Sequence, residues 1–466
     1  MNPRITAIQT LTIVFLLLAC VITTTAAEEE NKIKISLPQA IEWAITRNRS
    51  VIRSSHNIRV GQLGLKSAKT DFDIKLTPSG GVRASDENNS FATGLALTKK
   101  FTHGYDISVS PGIVVDDDNY YSRIGISLNI PLLNRWGKLV NLSYVKSEEY
   151  TVRMTQRELF RTKTNIIIQA VTSFYRIILF QHTVKLNSSL VASFKKHAKL
   201  AKLKSDVGVA NPLDVYRAKI KVKDAEADLV TSIESLQNEK NELKSLLSIP
   251  QARKIALNEP AIKIDMIALN LSEAETIALE NSIEIRQAID ALNEARRFSK
   301  IAKRDLLPDL LLSFNYSLSG ESEELRDTFD MRDERWSVSL SSTTDFARSR
   351  EKLYYKQTLI NIDSAKIDLD DTKDKIQKDV RSQLDILNKI KKQIKIRKQQ
   401  IHQAEGKKDL SQIKFNNNMA DNFDLIEAET ELHQARLNLL QADIDYIINT
   451  YRLREIMGTL LAYDEK

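Results

Sequence analysis

Two periodicities share this chain. Long stretches place apolar residues at three-, four- or seven-residue steps: Ala225, Leu229, Ile233, Leu236, Leu243 and Leu247 form one series, and Leu432, Ala435, Leu439, Ala442 and Tyr446 another. That spacing predicts helices with a narrow apolar seam rather than a broad core-facing face. Other stretches alternate strictly. Leu310, Leu312, Phe314, Tyr316 and Leu318 oppose Ser313, Asn315, Ser317 and Ser319, and Trp336, Val338 and Leu340 oppose Ser337, Ser339 and Ser341. Ile124, Ile126, Leu128 and Ile130 oppose Gly125, Ser127 and Asn129, while Tyr105, Ile107 and Val109 oppose Asp106, Ser108 and Ser110. Residues 74–85 and 91–100 alternate less cleanly. Six strands are predicted, each apolar on one face and small or polar on the other.

The order of these elements occurs twice. Leu37-Pro-Gln-Ala-Ile-Glu-Trp-Ala-Ile45 matches Leu271-Ser-Glu-Ala-Glu-Thr-Ile-Ala-Leu279, 234 positions on. Pro212-Leu-Asp-Val-Tyr-Arg-Ala218 matches Asn422-Phe-Asp-Leu-Ile-Glu-Ala428 at a spacing of 210. Each repeat reads as a helix (37–72 and 271–306), strands (about 73–131 and 308–343), a long helix (139–206 and 347–415) and a last helix (212–248 and 423–458). The domain reading is therefore a first repeat over 28–257 and a second over 258–466. A helix of about 70 residues spans about 105 Å at about 1.5 Å per residue. The two shorter helices of a repeat, stacked end to end, match that length, which predicts an elongated antiparallel coiled coil. Narrow seams cannot enclose a globular core in one chain, so several chains are expected to associate side by side.

Strands of about ten residues with one apolar and one polar face suit a transmembrane β-barrel, lipid outside and water within. A soluble sandwich also alternates, but it needs something to cover its apolar faces, and the neighbouring helices are too polar to do so. Six strands fall short of the roughly eight that close the smallest barrels, so protomers are expected to pool strands.

Composition narrows the classes further. Only 6% of residues are aromatic, with 13 Gly and 9 Pro, a balance that suits long helices better than a compact enzyme. The net charge of +7 is spread along the chain and is no nucleic-acid footprint; the basic run Lys389 to Lys398 is interleaved with Ile390, Ile394 and Ile396, as on a solvated helix face. Residues 1–27 have the parts of a secretory signal: Arg4, an apolar run from Leu11 to Ile22, and small residues Thr25 and Ala27 that suit cleavage after Ala27. The one cysteine, Cys20, excludes an intrachain disulfide. It ends Leu17-Leu-Ala-Cys20, which resembles a lipobox whose cysteine is acylated, although Leu18 is bulky for that role; a cysteine within a discarded signal is the other reading. The six His (56, 103, 182, 197, 402 and 433) have no ligand spacing, and no phosphate loop, nucleophile elbow or zinc motif is present. No cofactor and no catalytic residue is expected. Trp43 and Trp136, near element ends, read as packing or interface residues.

The paired Leu-x-x-Ala openings, Leu306-Leu-Pro-Asp-Leu-Leu-Leu-Ser313, Val207-Gly-Val-Ala-Asn-Pro-Leu-Asp-Val215 and Leu453-Arg-Glu-Ile-Met-Gly458, in this duplicated order, resemble the TolC-like outer-membrane efflux proteins from Leu37 to about Gly458. Lys100-Phe-Thr-His-Gly104 and Ile130-Pro-Leu-Leu-Asn-Arg-Trp-Gly137 resemble a subgroup with a longer first strand region. The resemblance implies a mainly α fold with a transmembrane β-barrel: a homotrimer with a periplasmic α-barrel and a shared barrel of twelve strands in the outer-membrane lipid. It implies passive export of what an inner-membrane transporter and a periplasmic adaptor deliver. Six strands in one chain exceed the four implied, so an extra hairpin from the first half is expected. The alternative is a secreted periplasmic coiled-coil adaptor or scaffold, which leaves the amphipathic strands unexplained.

The turns before the last helices are the expected periplasmic tips. Asp424 and Glu427, three apart and on one helix face, match the acidic pair that rings the closed aperture in that family. Asp214 takes the corresponding place in the first repeat, with Arg217 where Glu427 would be, as a candidate latch to the neighbouring tip. The plainer reading of Asp214 and Asp424 is an acid in the first turn of a helix, favoured by the helix dipole. Asn416-Asn-Asn-Met-Ala420 lacks the glycine and the basic residue of some relatives, which puts a tip-arginine latch in doubt.

Overall fold

The computed structural model describes residues 32–85, 89–116, 119–208, 211–258, 269–417, 419 and 421–463. The expected signal and Cys20 lie outside them. The helices are α1 (Leu37–Arg47), α2 (Arg49–Lys69), a short α3 (Lys138–Asn141), α4 (Ser143–Asp206), α5 (Pro212–Leu246), α6 (Leu271–Asn281), α7 (Ile283–Arg304), α8 (Ser349–Asn416) and α9 (Asn422–Ile456). The strands are β1 (Lys32–Ile35), β2 (Ile74–Ala84), β3 (Asn89–Lys100), β4 (Asp106–Asp116), β5 (Asn119–Pro131), β6 (Lys254–Leu257), β7 (Leu311–Ser322) and β8 (Asp333–Ser341).

The first helix of each repeat is two helices, not the single one expected. Asn48 (φ −63°, ψ 132°) separates α1 from α2, and Ser282 (φ −62°, ψ 125°), 234 positions on, separates α6 from α7. The first break is tied down by tertiary contacts. Asn48 Nδ2 donates to the Leu246 carbonyl at 2.9 Å, and Asn48 Oδ1 accepts from the Ser50 amide at 2.8 Å. One side chain thus caps α2 and satisfies a carbonyl at the end of α5, where the helix leaves its last carbonyls without partners.

The described chain forms two compact units, each drawing on both repeats. One holds the described residues through Arg53 with Phe160–Ser282 and those from Ile376 on; the other holds Ser54–Leu159 and Ile283–Lys375. In the first, Phe174, Ile177, Ile178, Leu243, Leu425, Ile444 and Leu453 are among the largest fully buried side chains. The seams read from sequence are buried at Ala225, Leu243, Leu247, Leu432, Ala435, Ala442 and Tyr446. Ile233 departs from its series: it is 50% exposed, while Ser232 beside it is buried, because the face that packs is offset by one residue there. The same unit contains a two-stranded parallel sheet, β1 with β6, that the four-residue stretches did not announce.

In the second unit a half-buried ion cluster joins α4 to α7. Asp290 accepts from Arg153 at 3.0 Å and from Arg157 at 2.9 Å, and Arg157 also donates to Gln287 at 3.0 Å. The six remaining strands make one antiparallel sheet in the order β2-β3-β4-β5-β7-β8. All four first-half strands belong to it, so the extra hairpin, β3–β4, is part of the same sheet. The β3–β4 register is interrupted at Leu95 and Ala96, where β4 offers Pro111, whose nitrogen has no hydrogen to donate. The turn between β3 and β4 needs Gly104, at φ +105°, where a side chain would also meet Asn141.

Replacing Asn48 by Ala removes a cap and leaves the Leu246 carbonyl unpaired. We expect a loss of about 1–3 kcal/mol in unfolding free energy, measured by denaturant titration of the purified protein, with Asn48→Ser recovering the capping part. Equal stability of Asn48→Ala and the parent would show that the break is set elsewhere.

Candidate functional site

The six-stranded sheet separates two chemistries. Residues directly opposite in neighbouring strands point to the same side, so the register defines each face. One face runs Leu76, Leu97, Val109, Ile126, Tyr316 and Trp336 across all six strands, with Val82, Phe91, Val115, Leu128, Phe314 and Val338 along it. Its outer members are open: Val82 is 80% and Trp336 70% exposed. An apolar patch this continuous marks a surface for lipid or protein. The opposite face carries Ser79, Gly81, Ser110, Arg123, Ser317 and Arg335, which line a groove of about 710 Å³. Polar groups therefore sit on the concave side.

The hairpin between β7 and β8 folds back onto the apolar side. Thr328 Oγ1 donates to the Tyr120 and Gly320 carbonyls at 3.0 and 2.9 Å, and Ser122 Oγ donates to the Thr328 carbonyl at 2.5 Å. Gly320 permits this approach, since a Cβ there would overlap the Thr328 carbonyl oxygen. At the other end of the sheet, Phe101 stacks on Tyr105 at 4.4 Å and Trp136 lies 6.3 Å from Tyr105. The His103 carbonyl accepts from the Gly137 amide at 2.8 Å, which fixes the β3–β4 turn against the segment after β5.

In the other unit the two helix turns lie side by side. Asn422 Nδ2, at the start of α9, donates to the His197 carbonyl of α4 at 3.2 Å. Asp421 caps α9, accepting from the Phe423 and Asp424 amides at 2.9 Å each, and Asn211 caps α5 by accepting from the Leu213 amide at 2.9 Å. The caps are thus the residues before the candidate acids. Asp424 and Glu427 are both exposed on one face of α9, as their spacing requires. Lys407 of α8 stands nearby: its ammonium bonds Glu431 at 2.7 Å, and that bond, aided by the charges of Glu427 and Asp424, raises its pKa. Asp214 and Arg217 face each other within α5 at 3.6 Å, and the Arg217 guanidinium lies 5.9 Å from the centre of the Phe423 ring. Arg217 therefore reaches from the first turn to the second within one chain. Among the described residues no three His, Cys, Asp or Glu side chains converge as metal ligands.

The pattern of the family described as outer membrane efflux protein matches residues 276–459. The chain is 20% identical to the outer membrane protein TolC of Vibrio cholerae serotype O1 over 373 residues, covering 78% of this chain and 82% of that one. It is 22% identical to the outer membrane efflux protein BepC of Brucella suis over 422 residues, covering 88% and 89%. In structure it resembles the outer membrane protein VceC from Vibrio cholerae with a TM-score of 0.71, at 16% identity and over 91% and 96% of the two chains. The fold shared with that structure therefore extends through both repeats. Asp424 and Glu427 fall inside the matched stretch, Asp214 and Arg217 outside it.

Two buried polar contacts near the turns were not anticipated from sequence. His197, 4% exposed, places Nε2 3.2 Å from Glu429 Oε1, and Ser193 Oγ donates to Glu429 Oε2 at 2.6 Å. His433 Nε2 donates to Asn187 Oδ1 at 2.8 Å, and Asn187 Nδ2 donates to the Asp228 carbonyl at 3.3 Å. Ser193 with His197, and Glu429 with His433, are four apart on α4 and α9, a spacing that puts each pair on one face. Burial opposes charge on Glu429, but the His197 and Ser193 hydrogen bonds outweigh it and lower the pKa. Burial lowers the His433 pKa below its ordinary 6.5, with Arg436 acting the same way and Asp228 against it.

A histidine whose folded pKa is depressed stabilises the fold above its unfolded pKa, and that contribution is lost as pH falls through about 6.5. Glu429, also depressed, keeps its contribution until pH falls below about 4.5. The protein is expected to lose thermal stability between pH 7.5 and 5.5, and His433→Gln, which retains a donor for Asn187, to lose less. Parallel melting profiles for the two proteins would rule His433 out as the source.

Proposed function

We propose that this chain forms the outer-membrane exit channel of a tripartite efflux or type I secretion system, passively conducting what an inner-membrane pump and a periplasmic adaptor deliver. The observation that carries this reading is the sheet: one unbroken apolar face, one polar concave face, and strands of nine to thirteen residues. Lipid satisfies the first face and a water-filled lumen the second. The channel is a homotrimer whose strands form the barrel and whose helices extend into the periplasm. It is no enzyme. The relatives named above support the location, since they are outer membrane proteins by name.

Helix surfaces support self-association. Leu353, Ile360 and Ile367 on α8 are exposed apolar residues at seven-residue steps, and Leu213, Tyr216 and Ile220 on α5 at three- and four-residue steps. Such stripes suit seams with other helices. At the turns, three copies of Asp424 and Glu427 would ring the aperture with carboxylates that favour cations, and Lys407 would moderate their charge. Asp214 and Arg217 serve as a second contact closing the turns. Cys20 is either the acylated first residue of the mature chain or part of its discarded signal.

Purified protein should insert into planar bilayers as low-conductance, cation-preferring channels and run as a trimer in detergent. A water-soluble protein that never inserts would instead favour a secreted coiled-coil scaffold. Changing both Asp424 and Glu427 to Ala should raise single-channel conductance severalfold and weaken block by divalent cations; unchanged conductance and block would sink the acidic aperture while leaving the channel.

A further inference from the structure

The sheet has two open edges. β2 and β8 each pair on one side only, and every residue of both is exposed along their whole lengths. Backbone N–H and C=O groups on such an edge have no partner in hydrocarbon, where each unpaired group costs several kcal/mol. Yet the apolar face continues onto both edges, through Ile74, Leu76 and Val82 of β2 and Trp336, Val338 and Leu340 of β8. Side chains therefore commit these edges to the membrane while their backbones remain incomplete.

We infer that β8 of one chain pairs antiparallel with β2 of the next, and that the β3–β4 hairpin stays within the wall, so that three chains close a barrel of eighteen strands rather than twelve. This rests on the exit-channel reading. Four features favour it. Neighbours alternate in direction across the six strands, so β8 and β2 run oppositely and a copy can be added edge to edge without reversing a strand. Both edges present apolar residues on one face and small or polar residues on the other, so their faces can be matched. Arg83 near the end of β2 and Asp333 at the start of β8 lie on the polar face with opposite charges. Finally, β3 and β4 bond to their neighbours along most of their lengths and carry the same apolar face as the rest, including Leu95, Leu97, Val109 and Ile113. A hairpin displaced from the wall would leave that surface against water. Pro78 removes one donor from β2 and limits the seam without abolishing it. Six strands from each chain preserve an even total, and barrel diameter rises with strand number, so the lumen at the membrane is wider than twelve strands give.

Thiol cross-linking in the assembled channel tests this. Two variants are built, Thr77→Cys with Ser339→Cys across the expected seam, and Ser79→Cys with Ser127→Cys on β2 and β5. In an eighteen-strand barrel β2 and β5 are three strand spacings apart, about 14 Å at about 4.8 Å each, beyond a disulfide. In a twelve-strand barrel with the hairpin displaced they are neighbours. The expected result, with a short bismaleimide and a scan of 75, 77, 79 and 81 against Ser339→Cys to allow for register, is covalent trimers across the seam. No disulfide should form between β2 and β5 over a matching scan. A disulfide between β2 and β5 in a conducting trimer overturns the eighteen-strand barrel and leaves the exit channel standing. The same holds if a conducting trimer gives no seam cross-link at any position. Failure of the parent protein to assemble or insert would remove the exit channel itself, and the strand count with it.

Discussion

An apolar face that runs unbroken across six strands has to meet something other than water. Apolar surface costs about 25 cal/mol per Å² when hydrated, and here the exposed members include Phe91, Trp336 and Leu340. Within the sheet's own unit, α7 is engaged with α4 through Asp290, Arg153 and Arg157. Around that face the strands run nine to thirteen residues, and the turns are tied down at both ends of the sheet.

The helical unit solves a different problem. Its seams are one residue wide and rich in Ala, so the helices approach closely and gain contact from many small increments rather than from a large core. Polar residues are then unavoidable inside the packing, and they are paired across helices: Asn48 with Leu246, His197 with Glu429, His433 with Asn187. Such contacts specify register, since a slip of one residue would leave each group buried without a partner. The turns at which α5 and α9 begin are held by the same means. Their acids stay exposed while the capping work falls to Asn211 and Asp421. That division leaves the Asp424 and Glu427 side chains outside the capping of α9.

Much of this was legible in the sequence because period alone separates the two element types. Alternation found all six strands of the sheet, and the three-, four- and seven-residue seams found the last helix of each repeat to within a few residues. The duplication was legible too, because it is written in the order of side chains. The breaks at Asn48 and Ser282 were not, since neither is a helix breaker; Asn48 ends α1 through a carbonyl nearly two hundred residues away. The acidic pair could be read from helical spacing. Lys407 and the His197–Glu429 contact could not, because they depend on which helices become neighbours.

Sequence by itself determined the faces: period two and period seven fix which side of each element is apolar, whatever surrounds it. Tertiary structure alone decided the neighbours. It set the strand order β2-β3-β4-β5-β7-β8, put the extra hairpin inside the sheet rather than beside it, and brought the two helix turns together through Asn422 and His197. The reason is that backbone hydrogen bonds between strands are the same for every residue except proline, so side-chain pattern orients a strand without naming its partner.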